Sequence, residues 1–357
     1  MSAIKRFKAE LATAGVDGAL ISSQINIRYL CGFNFTDGYL LIFNGKNYLL
    51  TDSRYSEAAK DSVKNFDVVI PTEGMLKKIN ELCAEHSATV IAIEDGSVTL
   101  AEFSRLREAL PDVTLSTGAT DILKELREIK SEEELEKIKK AQAITDKAFE
   151  HILGFITPEC TEAEVAIELE MFMRRQGAEG VAFDTIAVSG KSSSLPHGVP
   201  SYRQLSKGFL TMDFGAKLEG YCSDMTRTVV IGRADEDMKK IYATVLSAQE
   251  AALEAICEGM RCSDADKIAR DVIKSVGFGD CFGHGLGHGV GLYIHESPSL
   301  SPRAKDTSVL RRGNVVTVEP GIYVEGKYGC RIEDMIAVDH GGKIVNFTKS
   351  PKNLIEL

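Results

Sequence analysis

The chain has 357 residues, more than a single hydrophobic core usually supports, so we expect two domains. Hydrophobic residues make up 44% and charged residues 26%, as in ordinary globular proteins, and the formal net charge of -10 offers no basic surface for nucleic acid. We expect a cytoplasmic protein without a membrane span or disulfide framework, because no run approaches roughly 20 apolar residues, the opening residues lack a signal-peptide pattern, and the eight cysteines form no C-x-x-C pair.

The first third of the chain alternates helical and strand patterns. An amphipathic opening helix leads to the strand-like GALISS, and YLLIFNGKNYLLT predicts a hairpin that turns at Asn44 and Gly45. FDVVI, a helix near residues 74–86 and the strand-like ATVIAIE follow. This order of elements predicts a small α/β domain over residues 1–122.

A long charged helix opens the second part of the chain. In DILKELREIKSEEELEKIKKA, Ser131 is followed three residues later by Glu134, which is the capping-box pattern. We place the domain boundary just before this helix, so that the second domain spans residues 123–357. Another helix follows Thr161, a third spans about 235–258, and runs rich in Val, Thr and Tyr lie between and after them. Helices and hairpins in separate blocks predict an α+β domain.

Two predicted hairpins of the second domain carry paired carboxylates. Asp213 and Asp224 lie symmetrically about the turn AKLEG, and Glu319 and Glu333 lie symmetrically about Gly326. Antiparallel pairing then places each pair face to face, with Cβ atoms roughly 5 Å apart. Two carboxylates at that distance repel each other unless a cation, a proton or an arginine lies between them.

The acidic pairs are candidates for metal ligands. A single acidic residue in a hairpin is more often solvated surface charge, but both pairs lie among apolar strand residues, which indicates an enclosed position. Four carboxylates and a histidine suit divalent manganese, cobalt, iron or zinc better than a thiolate-rich structural zinc site. Four carboxylates also balance the charge of two divalent ions, an arrangement known to generate hydroxide at neutral pH.

Three of the seven histidines lie in the glycine-rich stretch HGLGHGVGLYIHE, at positions 284, 288 and 295. Glycine costs roughly 1 kcal/mol relative to alanine inside a helix, so these glycines favour an extended segment whose backbone passes close to another part of the protein. A lone histidine is more often structural than a ligand. Three histidines within twelve residues indicate a site, in which any one of them could be a ligand or could support one.

Taken together, these motifs resemble those of a known family. HGLGHGVGLYIHE, MDFGA, SDMTRT, VEPGIY and RIED resemble the pita-bread metallopeptidases, in the branch of Xaa-Pro aminopeptidases (aminopeptidase P) and prolidases. NIRYLCGF, TDSRY and REIKSEEELEKIKKA resemble the N-terminal domain of creatinase and its linker helix, so the resemblance covers the whole chain. It implies a C-terminal pita-bread (creatinase/aminopeptidase) catalytic domain preceded by a smaller α/β creatinase-like domain.

The resemblance implies two divalent metal ions, manganese first, with cobalt, zinc or iron as alternatives. The implied ligands are Asp213, Asp224, His288, Glu319 and Glu333. By the same resemblance, Asp213 chelates one ion, Asp224 and Glu333 bridge both, and His288 and Glu319 complete the other.

The resemblance also implies roles for residues around the metals. His197, in LPHG, together with His284 and His295 would contact the scissile peptide and steady the oxyanion or the leaving nitrogen. Glu319 would carry a proton, and Arg331 would orient the bridging carboxylates. Tyr323 would lie near the pocket.

The implied activity is removal of the N-terminal residue from peptides with proline in the second position. The resemblance implies attack of a metal-bridged hydroxide on the scissile carbonyl. An X-Pro bond is a tertiary amide without an N–H, so the site must read proline by shape, and we expect an apolar pocket near His284 and His295.

Two alternatives stay open from the sequence. An Xaa-Pro dipeptidase (prolidase) must recognise the free carboxylate of its substrate, which calls for a cation near the proline. The prolidases that this chain resembles have an arginine after the segment corresponding to HESP, whereas Ser299 stands here; this favours an aminopeptidase, although Arg303 lies a few residues on. A non-catalytic peptide-binding pita-bread module is the other alternative, but such relatives typically lose ligands.

The family resemblance also predicts a homodimer in which the first domain of one chain limits access to the site of the other. Sedimentation at working concentration measures this directly, and a monomer there would contradict the prediction. No nucleic-acid or membrane partner is expected.

Overall fold

The computed structural model describes residues 2–357, and the chain divides into two compact units, one ending at Arg127 and the other running from Glu128 to Leu357. Within residues 2–357, no helix combines the length and the apolar character that crossing a bilayer requires.

The first unit contains six helices and six strands among its described residues. The helices are α1 Ala3–Thr13, α2 Gln24–Cys31, α3 Ser56–Ser62, α4 Met75–Glu85, α5 Leu100–Ala109 and α6 Ala119–Glu128. The strands are β1 Gly18–Ile21, β2 Gly38–Phe43, β3 Asn47–Thr51, β4 Asp67–Val69, β5 Val90–Ile93 and β6 Thr114–Ser116. The predicted domain boundary between residues 122 and 123 falls inside α6.

The six strands form one mixed sheet in the order β4-β3-β2-β1-β5-β6. β2 and β3 pair with Ile42 opposite Asn47, so the hairpin turns at Asn44 and Gly45 as predicted. Side chains alternate between two buried faces: Leu40 and Ile42 pack into one apolar cluster, and Leu41 packs into the other. Helices therefore cover both sides of the sheet, as the predicted α/β class requires.

The second unit contains four α-helices, two short 3-10 helices and thirteen strands. The helices are α7 Glu132–Phe155, α8 Glu162–Arg175, α9 Glu236–Ala255 and α10 Cys262–Ser275, and the 3-10 segments are Gly190–Ser194 and Gly279–Cys281. The strands are β7 Gly180–Val181, β8 Ile186–Ser189, β9 Gly208–Phe214, β10 Ala216–Leu218, β11 Tyr221–Cys222, β12 Met225–Ile231, β13 Gly287–Gly289, β14 Glu296–Leu300, β15 Val315–Val318, β16 Gly321–Val324, β17 Tyr328–Arg331, β18 Asp334–Val338 and β19 Ile344–Asn346.

The predicted start of the second unit's first helix is confirmed by its cap. The Ser131 hydroxyl accepts a hydrogen bond from the Glu134 amide, and the Glu134 side chain accepts one from the Ser131 amide. Thr161 and Glu164 form the same capping box at the start of α8. The box at Ser131 was predictable from the sequence because it depends on residues only three apart, and the box at Thr161 has the same spacing.

The helices of the second unit form two similar pairs. α7 ends at Phe155 and α9 at Ala255, and α8 and α10 begin at Glu162 and Cys262, so equivalent positions differ by 100 in residue number. α7 and α8 pack on one apolar cluster and α9 and α10 on another. The repeat lies in burial and geometry and hardly at all in residue identity, which is why the sequence alone did not reveal it.

The two halves meet along strands β12 and β17. The Glu333 amide donates to the carbonyl of Thr226 at 3.1 Å, and the Thr228 hydroxyl donates to the carbonyl of Arg331 at 2.9 Å. This junction joins the three-stranded sheet β12-β9-β8 to the hairpin of β16 and β17 and to the five-stranded sheet that contains β15 and β18. The predicted acidic hairpins belong to opposite halves and are brought together here.

Candidate metal centre

One cavity of about 590 Å³ in the second unit brings together all of the predicted site residues. Its wall includes His197, Asp213, Asp224, His284, His288, His295, Glu319, Arg331 and Glu333. These residues come from both halves of the unit and from segments up to 136 positions apart in the chain, between His197 and Glu333. Only the folded arrangement could show that they share a cavity.

The first acidic hairpin has a register different from the predicted one. Asp213 pairs with Thr226, not with Asp224. The turn is centred on Glu219 and Gly220, which both have positive φ (50° and 85°), as in the two-residue loops that match strand twist. The pairing is shifted by two residues relative to the prediction, and because side chains alternate with a period of two, both aspartates stay on the same face.

The second acidic hairpin has the predicted register. Val318 pairs with Asp334, and Gly321 pairs with Arg331, so Glu319 and Glu333 lie opposite each other between these two pairs. The regular strands stop on both sides at the glutamates, where Pro320 interrupts the chain. The paired carboxylates therefore project from a break between two sheets.

His288 lies beside the carboxylates with its Nε2 atom toward them. Nε2 is 3.5 Å from Asp224 Oδ2 and 3.4 Å from Glu319 Oε1. Nδ1 lies 3.1 Å from the carbonyl oxygen of Gly289, which can only accept, so Nδ1 carries the proton of the neutral ring and Nε2 presents its lone pair. Burial lowers the pKa of His288, which favours this neutral form.

The glycines around His288 allow close contact between strands. A Cβ atom at Gly287 would lie 2.0 Å from the carbonyl oxygen of Thr317, and one at Gly289 would lie 2.2 Å from that of Ser297. Only glycine fits at such distances. The prediction of an extended segment passing close to another backbone is confirmed, with β13 pairing to both β14 and β15.

Two threonine hydroxyls connect the acidic residues to their neighbours. Thr226 donates to Glu333 Oε2 at 2.7 Å and accepts from Arg331 Nε at 2.9 Å. Thr317 donates to Glu319 Oε1 at 3.1 Å and accepts from the His288 amide at 3.1 Å. Each hydroxyl fixes one carboxylate oxygen and leaves the other to face the cavity.

Sequence reasoning missed both threonines, although a signal for them was present. Each lies two residues from a predicted ligand, Thr226 after Asp224 and Thr317 before Glu319. Strand residues two apart share a face, so a hydroxyl at that spacing could have been assigned to the same site.

Burial and mutual repulsion disfavour the charged forms of the carboxylates. Burial, reinforced by Glu333, Asp213 and Glu319, raises the pKa of Asp224 well above its usual range. Burial, reinforced by Glu319 and Asp213, does the same for the pKa of Glu333. Burial also raises the pKa of Glu319 to about 7. A cation among these groups would reverse that penalty.

These residues fit a divalent metal. Ligand atoms of Asp224, His288 and Glu333 all lie within 4.8 Å of one another. Asp213 Oδ1 and Glu333 Oε1 are buried without a hydrogen-bond partner, whereas the other oxygen of each carboxylate has one. Unpaired carboxylate oxygens beside an imidazole lone pair form an oxygen-rich donor set with one nitrogen, which suits manganese, cobalt, iron or zinc.

Arg331 is buried and bonded on every side. It donates to Asp213 Oδ2 at 2.6 Å, to Thr226 at 2.9 Å and to the Tyr323 hydroxyl at 2.6 Å. It therefore holds Asp213 directly and Glu333 through Thr226. Its guanidinium neutralises part of the negative charge but is already committed to these partners.

His284 completes a chain that starts at Arg331. Its Nδ1 lies 2.8 Å from the carbonyl oxygen of Gly285 and its Nε2 lies 3.1 Å from the Tyr323 hydroxyl. The hydrogen-bond pattern assigns the ring proton to Nδ1 and makes Nε2 the acceptor. Burial, with the charge of Arg331, lowers the pKa of His284 to about 4, so the ring is neutral near pH 7.

His197 and His295 are more exposed and lie on the open part of the wall. The His295 ring packs edge-on against His288 with 4.3 Å between centroids. Apolar side chains share the wall, as predicted for a proline site: Phe183, Ile186, Pro196, Val199, Pro200 and Ile294. Ser299, the residue considered in the dipeptidase question, also lines the cavity.

Comparison with known proteins identifies the family. Residues 136–340 match the model of metallopeptidase family M24, and residues 4–129 match the creatinase/prolidase N-terminal domain. The chain belongs to metallopeptidase family M24. The predicted family and the α+β pita-bread fold, with a creatinase-like domain before it, are confirmed.

Individual members of family M24 match over nearly the whole chain. The structure of an Xaa-Pro dipeptidase from Bacillus anthracis is 41% identical, with a TM-score of 0.95 over 99% of both chains. That of an X-Pro aminopeptidase from Thermotoga maritima MSB8 is 38% identical, with a TM-score of 0.91 over 96% of this chain and 98% of the other. An Xaa-Pro dipeptidase of Pyrococcus furiosus is 38% identical over 95% of both sequences. The chain is thus similar to metallopeptidases that act on proline-containing peptides.

In the metal-stripped protein, Glu319→Gln should raise the melting temperature at pH 8 by a few degrees. The folded-state pKa of Glu319 is about 7, above its usual 4.5, so its ionised form destabilises the fold increasingly as the pH rises from about 4.5 to 7. The gain should therefore shrink as the pH falls from 8 toward 5. Thermal unfolding followed by circular dichroism measures it. Glu325→Gln, at an exposed glutamate of the same hairpin, is the control, and a gain independent of pH would contradict the prediction.

Proposed function

We propose that this protein is an Xaa-Pro dipeptidase with a dinuclear metal centre. The observation that carries the proposal is the meeting of four carboxylates and the His288 Nε2 lone pair in one cavity with an apolar wall. The two dipeptidases at 41% and 38% identity support the substrate class. The X-Pro aminopeptidase at 38% identity keeps that activity as the second candidate.

The comparisons favour the dipeptidase over the aminopeptidase that the sequence favoured. That preference rested on Ser299 in place of an arginine. A carboxylate does not require a guanidinium, because a serine hydroxyl and imidazole N–H groups also donate hydrogen bonds to it. Ser299 lines the cavity, and we propose that its hydroxyl meets the substrate carboxylate.

The proposed metal ligands are Asp213, Asp224, His288, Glu319 and Glu333. Asp213 and Glu333 would offer their unpaired Oδ1 and Oε1 atoms, and Asp224 would supply a further carboxylate beside Glu333. His288 and Glu319 would supply the remaining ligand atoms, one nitrogen and one carboxylate oxygen. Divalent ions at such a site supply Lewis acidity, which polarises a carbonyl group and lowers the pKa of water.

The protein's own groups would orient the peptide and move its protons. Glu319 is the proposed proton carrier: Thr317 holds its Oε1 at 3.1 Å, which leaves Oε2 for proton exchange. His295, beside His288, would donate an N–H to the carbonyl oxygen of the scissile bond. The nitrogen of proline leaves only after it gains a proton, and His197 would steady it as it leaves.

His284 has a different proposed contribution. Because its Nδ1 proton is donated to Gly285 and its Nε2 accepts from Tyr323, it offers the cavity a neutral ring without a free N–H. We propose that it shapes the wall next to the scissile bond, with Tyr323 and Arg331 fixing its orientation.

A non-catalytic peptide-binding module would also bind Xaa-Pro peptides. Retention of all five ligand residues, with two carboxylate oxygens left unpaired, favours the peptidase. Manganese, the homodimer and the cytoplasmic location stay predictions.

Hydrolysis assays on metal-stripped protein with manganese restored should show cleavage of Gly-Pro and little cleavage of Gly-Pro-Ala or Gly-Ala-Ala. Chromatography of the amino acids released from each peptide distinguishes the dipeptidase from the aminopeptidase. Cleavage of Gly-Pro-Ala as readily as Gly-Pro would establish the aminopeptidase instead. Inactivity on all three peptides with a full metal content would leave the binding module.

Asp224→Asn should lower metal content and activity together, because a bridging anion balances both cations.

His197→Ala should leave the metal content unchanged and slow turnover by roughly 10²-fold. Metal content is measured by inductively coupled plasma spectrometry and turnover with Gly-Pro. Loss of metal in His197→Ala, or full metal and activity in Asp224→Asn, would overturn this division between ligands and substrate contacts.

A further inference from the structure

The segment between Ser189 and Ser201 carries His197 into the cavity. It contains the 3-10 turn Gly190–Ser194 and otherwise has no regular structure. Pro196 and Val199, in the same segment, also line the cavity, and Val199 is 83% exposed. Ser193 is buried and its hydroxyl accepts a hydrogen bond from the Gly329 amide at 2.9 Å, but the side chains of Leu195, His197 and Val199 are exposed.

Both ends of this segment are held by one buried carboxylate. Glu162 is 2% exposed. Its Oε1 accepts from the Ser189 amide at 2.8 Å and the Ser189 hydroxyl at 3.0 Å. Its Oε2 accepts from the Ser201 amide at 3.2 Å and the Ser201 hydroxyl at 2.7 Å. One side chain therefore closes the segment into a loop.

The backbone of α8 strengthens the same junction. Glu162 is the first residue of α8, and its amide donates to the carbonyl of Arg203 at 3.2 Å, while the Ala163 amide donates to that of Ser201 at 3.0 Å. A helix N-terminus also favours a nearby negative charge. Among residues 2–357, no ion pair of Glu162 is seen, so its charge is met by the four donors of the loop ends and by this helix end.

The other half of the unit holds a histidine segment in a comparable way. On α10, the helix equivalent to α8, Asp266 accepts from the Leu286 amide at 2.9 Å. Arg270, paired with Asp266, donates to the carbonyls of Phe282 and His284 at 2.8 and 2.7 Å. In each half, a buried carboxylate on the second helix fixes a segment that carries a histidine of the cavity wall.

We propose that Glu162 is a positioning residue that acts through His197. The four hydrogen bonds to one carboxylate fix both ends of the segment and so fix where the His197 imidazole meets the substrate. The proposal rests on the proposed peptidase function for its kinetic effect, but not for its structural effect.

The test is a double-mutant cycle with Glu162→Gln and His197→Ala in the manganese-loaded full chain. The side-chain amide that Glu162→Gln introduces turns an NH2 group toward one of the two serines. The bond from that backbone amide is then lost and the serine hydroxyl must change from donor to acceptor, without a change in side-chain size. With Gly-Pro as substrate, Glu162→Gln should lower kcat roughly tenfold with metal content unchanged. In the His197→Ala background it should lower kcat less than about twofold. Equal losses in both backgrounds, or no loss at all, would overturn the proposal.

Glu164→Gln is the matched control. Glu164 lies in the same first turn of α8, is exposed, and bonds only to the cap residue Thr161. Glu164→Gln makes the same change of charge two positions further along the same helix. It should leave kcat and KM unchanged, whereas a loss equal to that of Glu162→Gln would point to helix stability as the cause.

Amide hydrogen exchange supplies a readout that does not depend on activity. Residues 190–200 should exchange faster in Glu162→Gln than in the wild type or in Glu164→Gln. Should Glu162→Gln fail to fold, Ser201→Ala removes one of the four donors, together with the acceptor of two Arg203 hydrogen bonds, and should show the same pattern at smaller size. Inactivity of the wild type on all peptides would refute the proposed function, and exchange would still decide the positioning role: unchanged exchange would overturn it.

Discussion

Four carboxylates lie on the wall of one cavity, and the residues around them act against the repulsion between their charges. Burial and like charge both disfavour ionisation, which is why the pKa values of Asp224 and Glu333 are raised. Arg331 is committed to Asp213, Thr226 and Tyr323 and offsets only part of the charge. Divalent cations fit the remaining unpaired oxygens. The excess negative charge of the carboxylates therefore favours the binding of the cations on which the proposed chemistry depends.

The architecture of two similar halves explains how such a site can be built. Each half provides a helix pair with an apolar cluster of its own, and the acidic hairpins meet where the halves join. The proposed metal ligands thus lie on strands or next to strand ends, while the histidines proposed to face the substrate lie on the segments between strands. Glu162 and the Asp266–Arg270 pair connect those segments back to helices.

The parts of the fold that depend on neighbouring residues were predictable. The capping box at Ser131, the helix after Thr161 and the Asn44-Gly45 turn formed as the sequence indicated. The predicted register of the first acidic hairpin was wrong by two residues. The symmetry of the aspartates about AKLEG could not show that Glu219 and Gly220 would form the turn. The prediction that both aspartates face the same side was still correct, because a register shift of two residues keeps each side chain on the same face of the strand.

By itself the sequence determined the family, the order of the elements and which acidic and histidine residues are candidates for the site. Motifs and turns could be recognised because they depend on residues close together in the chain. Tertiary structure alone decided that Thr226 links Glu333 to Arg331, that both ring nitrogens of His284 are occupied, and that Glu162 holds the His197 segment. Apart from the bond between His284 and Gly285, these contacts join residues from 27 positions apart, Glu162 and Ser189, to 107 positions apart, Thr226 and Glu333. Contacts over such separations depend on how the two halves pack, which no local pattern encodes.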